Sequence, residues 1–342
     1  MPSPVPARDR SVYMVGAGLS CALGLPNTAV LVSAVMDAQK KGPWRHSKPL
    51  ERLPESFAFF YPDGKQKDFR PDAVDFFSTL KSYIETAEGL PGGLKDAPEL
   101  YRTLKFAIAR LLIERLRQVD DKLKLGGHAY LDSVVRPGNI AVTSNWDTAL
   151  ERYAWHRGVP VRWSGSSPDE FVVLKLHGSV DWTLGTSAVK EEADYAVLGE
   201  RINAGRSYRI GLPPAGEERD CAALRMRVLD EAWTKAWNFV SSRTTEPHMV
   251  TMARGKAGDL GPLAGVWRDA YAAISRARHL EIVGYSMPDD DIEIRTLLRA
   301  GVRRGTTLPD ITVRNPAPDV HDRVRRFLSH KIRSNYQAVD AL

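Results

Sequence analysis

Three short runs carry the residue types that could do chemistry: Val15-Gly16-Ala17-Gly18-Leu19-Ser20, Thr143-Ser144-Asn145-Trp146-Asp147 and Lys175-Leu176-His177-Gly178-Ser179. Gly16 and Gly18, with Ala17 between them, let a backbone turn sharply and approach a pyrophosphate, and Ser20 adds a hydroxyl donor. Asn145 and His177 each follow a strand-like apolar run, where an amide can place a ribose or a water and an imidazole can take a proton. Together the runs point to a nucleotide enzyme. Each also has a plainer reading. A tight strand-to-helix turn needs the same glycines without a ligand, and Cys21 stands where a dinucleotide fingerprint would have its third glycine. Asp147 can cap a helix starting near Thr148, and Asn145 can be a turn residue. His177, followed by Gly178, reads as mobile and partly exposed, a setting suited to proton transfer.

Two later runs join the set. Ile282-Val283-Gly284-Tyr285-Ser286-Met287-Pro288 is a strand leading into a glycine and serine turn, and Val313-Arg314-Asn315-Pro316 places an Asn after a late strand, within reach of an adenosine ribose. Asp289, Asp290 and Asp291 open a helix, where acid suits the helix dipole, so they read as capping rather than as a metal site.

The elements that must position these groups are legible in the hydrophobic spacing. Short β-branched or apolar runs at Ser11 to Val15, Asn139 to Thr143, Val159 to Trp163, Val172 to Leu176, His279 to Val283 and Ile311 to Val313 read as strands. Helical spacing falls at Ala29 to Ala38, Ala73 to Thr86, Leu100 to Val119, Thr148 to Arg157, Leu263 to Ala277, Ile292 to Arg303 and Val320 to Ser329. The alternation predicts an α/β protein: a Rossmann-like doubly wound parallel sheet with an inserted helical subdomain. The sheet domain is expected over 1–39 and 131–342, the helical insertion over 40–130, and an irregular second insertion over 183–249 with a helix near Leu224 to Val240. In such sheets ligands sit beyond the carboxyl ends of the strands, where every motif above falls.

Bulk properties narrow the class. A chain of 342 residues that is 43% hydrophobic can bury one large core or two smaller ones. No run approaches the ~20 apolar residues of a membrane span, and Met1 to Arg10 is Pro-rich and charged where a signal peptide is apolar, so a cytoplasmic, non-membrane protein is expected. Cys21 and Cys221 alone cannot build a four-cysteine zinc site or a disulfide framework, and no metal is expected; Cys21 reads as small and buried. The net charge of +6 comes from 48 basic and 42 acidic residues scattered along the chain, a balance permissive for nucleic acid without arguing for it. Arg323-Val324-Arg325-Arg326 reads as a solvated helix face. A Walker A lysine motif is missing, which leaves any ATPase to another polypeptide.

Taken in order, the motifs resemble the sirtuin family. Gly16 to Ser20 is similar to its Gly-Ala-Gly-x-Ser turn, Thr143 to Asp147 to its Thr-x-Asn-x-Asp run, His177-Gly178 to its catalytic His-Gly, Gly284 to Ser286 to its Gly-x-Ser turn, and Asn315 to its late Asn. The wording of Thr143 to Glu151, Lys175 to Trp182 and Gly284 to Asp291 resembles the bacterial branch associated with antiphage defence, whose members typically hydrolyse NAD to nicotinamide and ADP-ribose. The resemblance implies Asn145 and His177 as catalytic residues and Gly16, Ala17, Gly18, Ser20, Asp147, Gly284, Ser286 and Asn315 as NAD contacts. It also implies a homo-oligomer, with a partner such as a HerA-like hexameric ATPase. Protein deacetylases of the family carry Gly-x-Pro-Asp-Phe-Arg after the glycine turn, whereas this chain has Gly24-Leu25-Pro26-Asn27-Thr28-Ala29, and they usually carry a four-cysteine zinc module. NAD hydrolysis is therefore the expectation. NAD-dependent deacylation is the alternative, followed by a non-enzymatic NAD or ADP-ribose sensor or a DNA-directed module.

Overall fold

The computed structural model describes residues 11–41, 48–66, 68–87, 93–183, 247–251, 253, 256–304, 308–329 and 331–337. Met1 to Arg10, Cys221, most of the second insertion expected over 183–249 and its helix at Leu224 to Val240 lie outside the described residues. The chain divides into two compact units, one of Met1–Asn27, Arg115–His177 and Leu263–Leu342, the other of Thr28–Glu114 and Gly178–Pro262.

The first unit is built on a seven-stranded, fully parallel sheet flanked by helices, which establishes the Rossmann-like α/β class. Its strands are β1 (Ser11–Val15), β2 (Ile140–Thr143), β3 (Val161–Arg162), β4 (Phe171–Lys175), β7 (His279–Val283), β8 (Asp310–Arg314) and β9 (Ile332–Asn335). The order across the sheet is β3-β4-β2-β1-β7-β8-β9. β1, β2 and β4 sit inside it, and Val12 to Val15, Ile140 to Thr143 and Phe171 to Lys175 are buried throughout, as a parallel strand covered on both faces requires. The helices of this unit are α1 (Ala17–Ala22), α7 (Ala129–Val134), α8 (Ala149–His156), α9 (Ala264–Ser275), α10 (Ile292–Arg304) and α11 (Pro318–Leu328). α10 buries Ile294, Leu297, Leu298, Gly301 and Val302, one stripe at helical spacing, and packs against α9. In α11, Val324 is buried while Arg325 is exposed and pairs with Asp322 at 2.5 Å.

Two elements of the sheet unit depart from the sequence reading. The first helix starts at Ala17, directly on the glycine turn; with six residues it is too short to display a helical period. β9 is an edge strand whose residues are half-buried or exposed, so it lacks the apolar signal of the other strands.

In the second unit, a 3-10 turn at Thr28–Val30 leads into α2 (Leu31–Lys41), where the sequence places one helix over Ala29 to Ala38. α3 (Lys48–Glu51), α4 (Leu53–Phe60), α5 (Ala73–Ala87) and the first part of α6 (Ala97–Leu125) follow. Phe57 meets Phe69 and Phe76 edge-on at 5.9 and 5.1 Å between ring centroids, giving these helices an aromatic core. β5 (Gly178–Thr183) and β6 (Pro247–Met249) form a separate antiparallel pair. Lys81 binds Asp259 at 2.6 Å and Tyr101 shares a 2.6 Å bond with Thr251, joining the helical segment to the later one. Among the described residues no helix is long and apolar enough to cross a membrane.

Candidate active site at the sheet's switch point

β1 and β7 are neighbours, but the chain leaves β1 toward β2 on one side and leaves β7 toward β8 on the other. Their carboxyl ends therefore open a crevice at the point where strand order reverses, the usual ligand position in such sheets. The two turns there are pressed together. The Gly16 amide donates to the Val283 carbonyl at 3.0 Å and the Gly18 amide to the Gly284 carbonyl at 2.8 Å. A Cβ on Gly16 would lie 2.5 Å from the Tyr285 Cα, and one on Gly18 would lie 2.7 Å from the Gly284 Cα. Gly284, at φ +58°, would carry its Cβ 2.5 Å from the Leu19 amide nitrogen. These glycines are thus required by the contact of one turn with the other, before any ligand is considered. The Leu19 amide also turns inward, to the Gly16 carbonyl at 3.1 Å, while Ala17 is half-buried and Gly18 exposed. The outer face of the turn remains accessible.

A polar network ties β2 and β4 to this turn. The Asn145 Nδ2 donates to the Gly16 carbonyl at 3.0 Å and to the Ser20 Oγ at 2.9 Å. A carbonyl oxygen only accepts, so the amide's orientation is fixed, both its hydrogens are engaged, and Oδ1 is left as an acceptor facing away from the turn. The Asn145 backbone amide donates to Thr143 Oγ1 at 3.0 Å, and the Thr143 hydroxyl donates to the Val15 carbonyl at 3.0 Å. Ser20 in turn donates to Asp147 Oδ2 at 2.6 Å. Its proton is therefore directed at a carboxylate, where the sequence reading aims it at a pyrophosphate. Asp147 divides its oxygens: Oδ1 accepts the Ala149 amide at 3.0 Å at the start of α8, and Oδ2 accepts Ser20. Helix capping and membership of the network are both realised in one side chain.

Lys175 and Glu151 complete this side, and the sequence reading missed both. Lys175 is fully buried, donates to the Asp147 carbonyl and pairs with Glu151 Oε1 at 2.9 Å. An ammonium taken wholly out of water needs such a counter-charge. A lysine closing the otherwise apolar run Phe171 to Leu174 is the signal that could have drawn attention to it.

His177 is not exposed, contrary to the sequence reading: it retains 4% of its accessible surface. The preceding residue is held down on the sheet, its amide donating to the Thr143 carbonyl at 2.8 Å and its carbonyl accepting the Trp267 indole at 2.9 Å. His177 Nε2 lies 3.9 Å from Asp291 Oδ1, and the Tyr285 hydroxyl donates to Asp291 Oδ2 at 3.0 Å. Burial, reinforced by the Asp291 charge, holds the Tyr285 phenol well above its ordinary pKa. Asp291 does begin α10, its carbonyl accepting the Arg295 amide at 3.0 Å, but its carboxylate turns inward instead of serving only the helix dipole. Cys21 is half-buried rather than buried, and burial together with Asp147 raises its thiol pKa, which keeps it protonated.

Gly16, Ala17, Gly18, Ser20, Asn145, Asp147 and Gly284 are thus brought together by direct bonds and close contact, and Tyr285 and Asp291 carry the connection on to His177. Ser286 and Asn315 are not part of that network. Ser286 is exposed, and its carbonyl accepts Arg323 at 2.7 Å. Asn315 lies one strand further out, after β8, where its Oδ1 accepts the Ala317 amide at 3.0 Å and its carbonyl accepts His321 Nε2 at 2.7 Å.

A second buried polar cluster lies mid-strand on the same sheet. Glu281 accepts Arg314 Nε at 2.8 Å and the Tyr130 hydroxyl at 3.2 Å, and His279 Nε2 stands 3.9 Å away. Burial pushes the Glu281 pKa up, but the nearby His279 and the bonds from Arg314 and Tyr130 outweigh it and the net shift is downward. Comparison with protein-family models gave no match, and comparison with curated proteins gave none either.

Proposed function

We propose that this chain is an NAD hydrolase of sirtuin-like type, cleaving NAD to nicotinamide and ADP-ribose at the switch-point crevice. The observation that carries the reading is the locked Asn145 amide, which presents a fixed hydrogen-bond acceptor directly beside the β1 glycine turn. A dehydrogenase needs no such group at this place. Cleavage of a glycosidic bond to a pyridinium does need one, because a ribose hydroxyl or the attacking water must be held on the correct face of the sugar.

Asn145 Oδ1 accepts that hydrogen bond. His177, enclosed and paired with a carboxylate, takes the proton from water as its oxygen bonds to the anomeric carbon. The carbon–nitrogen bond breaks with its electron pair going to nicotinamide, which departs neutral and requires no general acid. The proton returns from His177 to solvent, so NAD and water become nicotinamide, ADP-ribose and a proton. The exposed edge of the Gly16 to Gly18 turn faces the pyrophosphate, with Ser286 toward the adenosine.

An enzyme that depletes NAD has to be restrained, and we assign that restraint to assembly into a homo-oligomer or to a partner of the HerA-like ATPase kind, in the setting of antiphage defence. Incubation with NAD and an acyl-lysine peptide tests the reaction class: free ADP-ribose is expected, and an acylated ADP-ribose product would replace this reading with deacylation. Mass measurement tests the assembly, since a monomer at micromolar concentration would contradict it.

A further inference from the structure

We propose that Asp291, held by Tyr285, is the positioning residue for His177. The inference rests on the role of His177 given above, and it adds a residue that neither the motifs nor helix capping assigns to the chemistry. The β7–α10 loop brings the carboxylate to the imidazole across 114 positions of sequence, with Asp291 Oδ1 at 3.9 Å from His177 Nε2. Both side chains are buried, at 4% and 10% accessibility, so their interaction is only weakly screened by water. Capping α10 does not explain this placement, because the carboxylate accepts the Tyr285 hydroxyl on Oδ2 and turns Oδ1 to the His177 ring.

Tyr285 fixes the geometry. Its hydroxyl donates to Asp291 Oδ2 at 3.0 Å, which occupies one carboxylate oxygen and leaves the other toward His177. Because burial and Asp291 hold the phenol protonated, that donor persists through the neutral pH range. Tyr285 is itself anchored, since its backbone lies against Gly16 where a Cβ on the glycine would approach its Cα to 2.5 Å. The pair therefore links the glycine turn to the histidine. A carboxylate so placed favours the His177 tautomer with its proton on Nε2, and it stabilises the imidazolium that forms when the ring accepts a proton. The 3.9 Å gap suits a pair that closes on protonation.

Asp290 and Arg295 act on Tyr285 from the loop and α10, with opposite sign. On the strand leading to His177, Lys175 is committed to Glu151 and the Asp147 carbonyl. Asp291 stands within ion-pair distance of the His177 ring.

NMR titration of His177 in the full chain, with labelled histidine and without NAD, tests the assignment independently of turnover. In Asp291→Asn the His177 midpoint is expected to fall by about one pH unit, the low end of what a nearby opposite charge produces. An unchanged midpoint would overturn the proposal. If Asp291→Asn does not fold, Asp291→Ser is read the same way, because serine keeps both an acceptor for Tyr285 and a good helix start. In turnover, Asp291→Asn is expected to lower kcat about tenfold and leave KM nearly unchanged, with the acidic limb of the pH profile moving down in step and Asp291→Glu recovering part of the loss. A rise in KM alone, with kcat and the limb unmoved, would make Asp291 structural. Failure of the underlying reading is distinguishable: His177→Ala would then turn over NAD normally, whatever the titration of the pair.

Discussion

Asn145 and Asn315 stand in corresponding places, each at the loop beyond a parallel strand of the same sheet, and both read from the sequence as ligand contacts. In the folded chain they differ. Asn145 spends its amide hydrogens on residues 129 and 125 positions away, the Gly16 carbonyl and the Ser20 hydroxyl, and keeps its oxygen in reserve. Asn315 spends its oxygen on the amide two residues ahead, a local turn that launches α11. The same residue type is therefore a bridge between motif loops in one case and a helix starter in the other. β2 and β8 flank the β1/β7 switch point symmetrically, but β2 lies beside β1 and so brings Asn145 to the β1 glycine turn, whereas β8 is separated from that turn by β7. What distinguishes a site from a well-satisfied turn is a polar group whose orientation is set by remote partners and whose remaining capacity is left for something else.

The largest contrast is in turnover. Asn145→Ala is expected to lower NAD hydrolysis about 100-fold or more, as loss of a transition-state hydrogen bond does, and His177→Ala to cost about as much as loss of a general base. Asn145→Asp sharpens the point: although nearly isosteric, it sets a carboxylate oxygen against the Gly16 carbonyl, so activity should be lost there too. Equal losses for Asn145→Ala and Asn315→Ala would break the comparison.

Ser20→Ala comes next. Removing the donor from the buried Asp147 is expected to lower stability by about 2 kcal/mol, measured by denaturant unfolding, and to loosen Asn145 enough to reduce kcat about tenfold. Asn315→Ala should lower stability by about 1 kcal/mol, the cost of losing a helix-start bond, and leave kcat in place.

The smallest effect concerns the mid-strand cluster and is seen only as pH changes. Glu281 has a depressed folded-state pKa, so its stabilising contribution is present above the unfolded value near 4.5 and is lost as pH falls through the folded value. His279, with its pKa raised chiefly by the neighbouring Glu281, contributes fully below its unfolded value near 6.5 and loses that contribution as pH rises through the folded value. Thermal unfolding of Glu281→Gln should therefore show a flatter decline of Tm than wild type below about pH 4.5, with NAD turnover at neutral pH retained. An identical acid slope in the two proteins would contradict the role given to Glu281.

Much of the sheet was legible because buried parallel strands are nearly continuous apolar runs: β1 is Ser11–Val15 and β7 is His279–Val283 in the fold as in the sequence pattern, and the other expected strands shift by one or two residues. α1 was not, since Ala17 to Ala22 is one and a half turns of mixed character beginning on a glycine. In the site, sequence order named Gly16, Ser20, Asn145, Asp147 and His177. It could not say that Ser20's proton goes to Asp147, because the partners are 127 positions apart. Local reasoning likewise made His177 mobile and partly exposed on the strength of the following glycine, and gave Asp291 to the helix dipole. Each residue's actual neighbours come from loops and helices remote in sequence, and one sequence contains no record of such pairings. Lys175 had a readable anomaly, a charge at the end of a buried strand, whose meaning depends on Glu151 in α8, 24 positions earlier.

The most direct measurement is nicotinamide release from NAD by the purified chain, alone and with a candidate partner, for wild type and Asn145→Ala side by side. Equal amounts of nicotinamide and ADP-ribose from wild type, and a rate about 100-fold lower from Asn145→Ala, are expected if the switch-point crevice is the catalytic site. Equal rates from the two proteins, or no release from wild type under either condition, would contradict it.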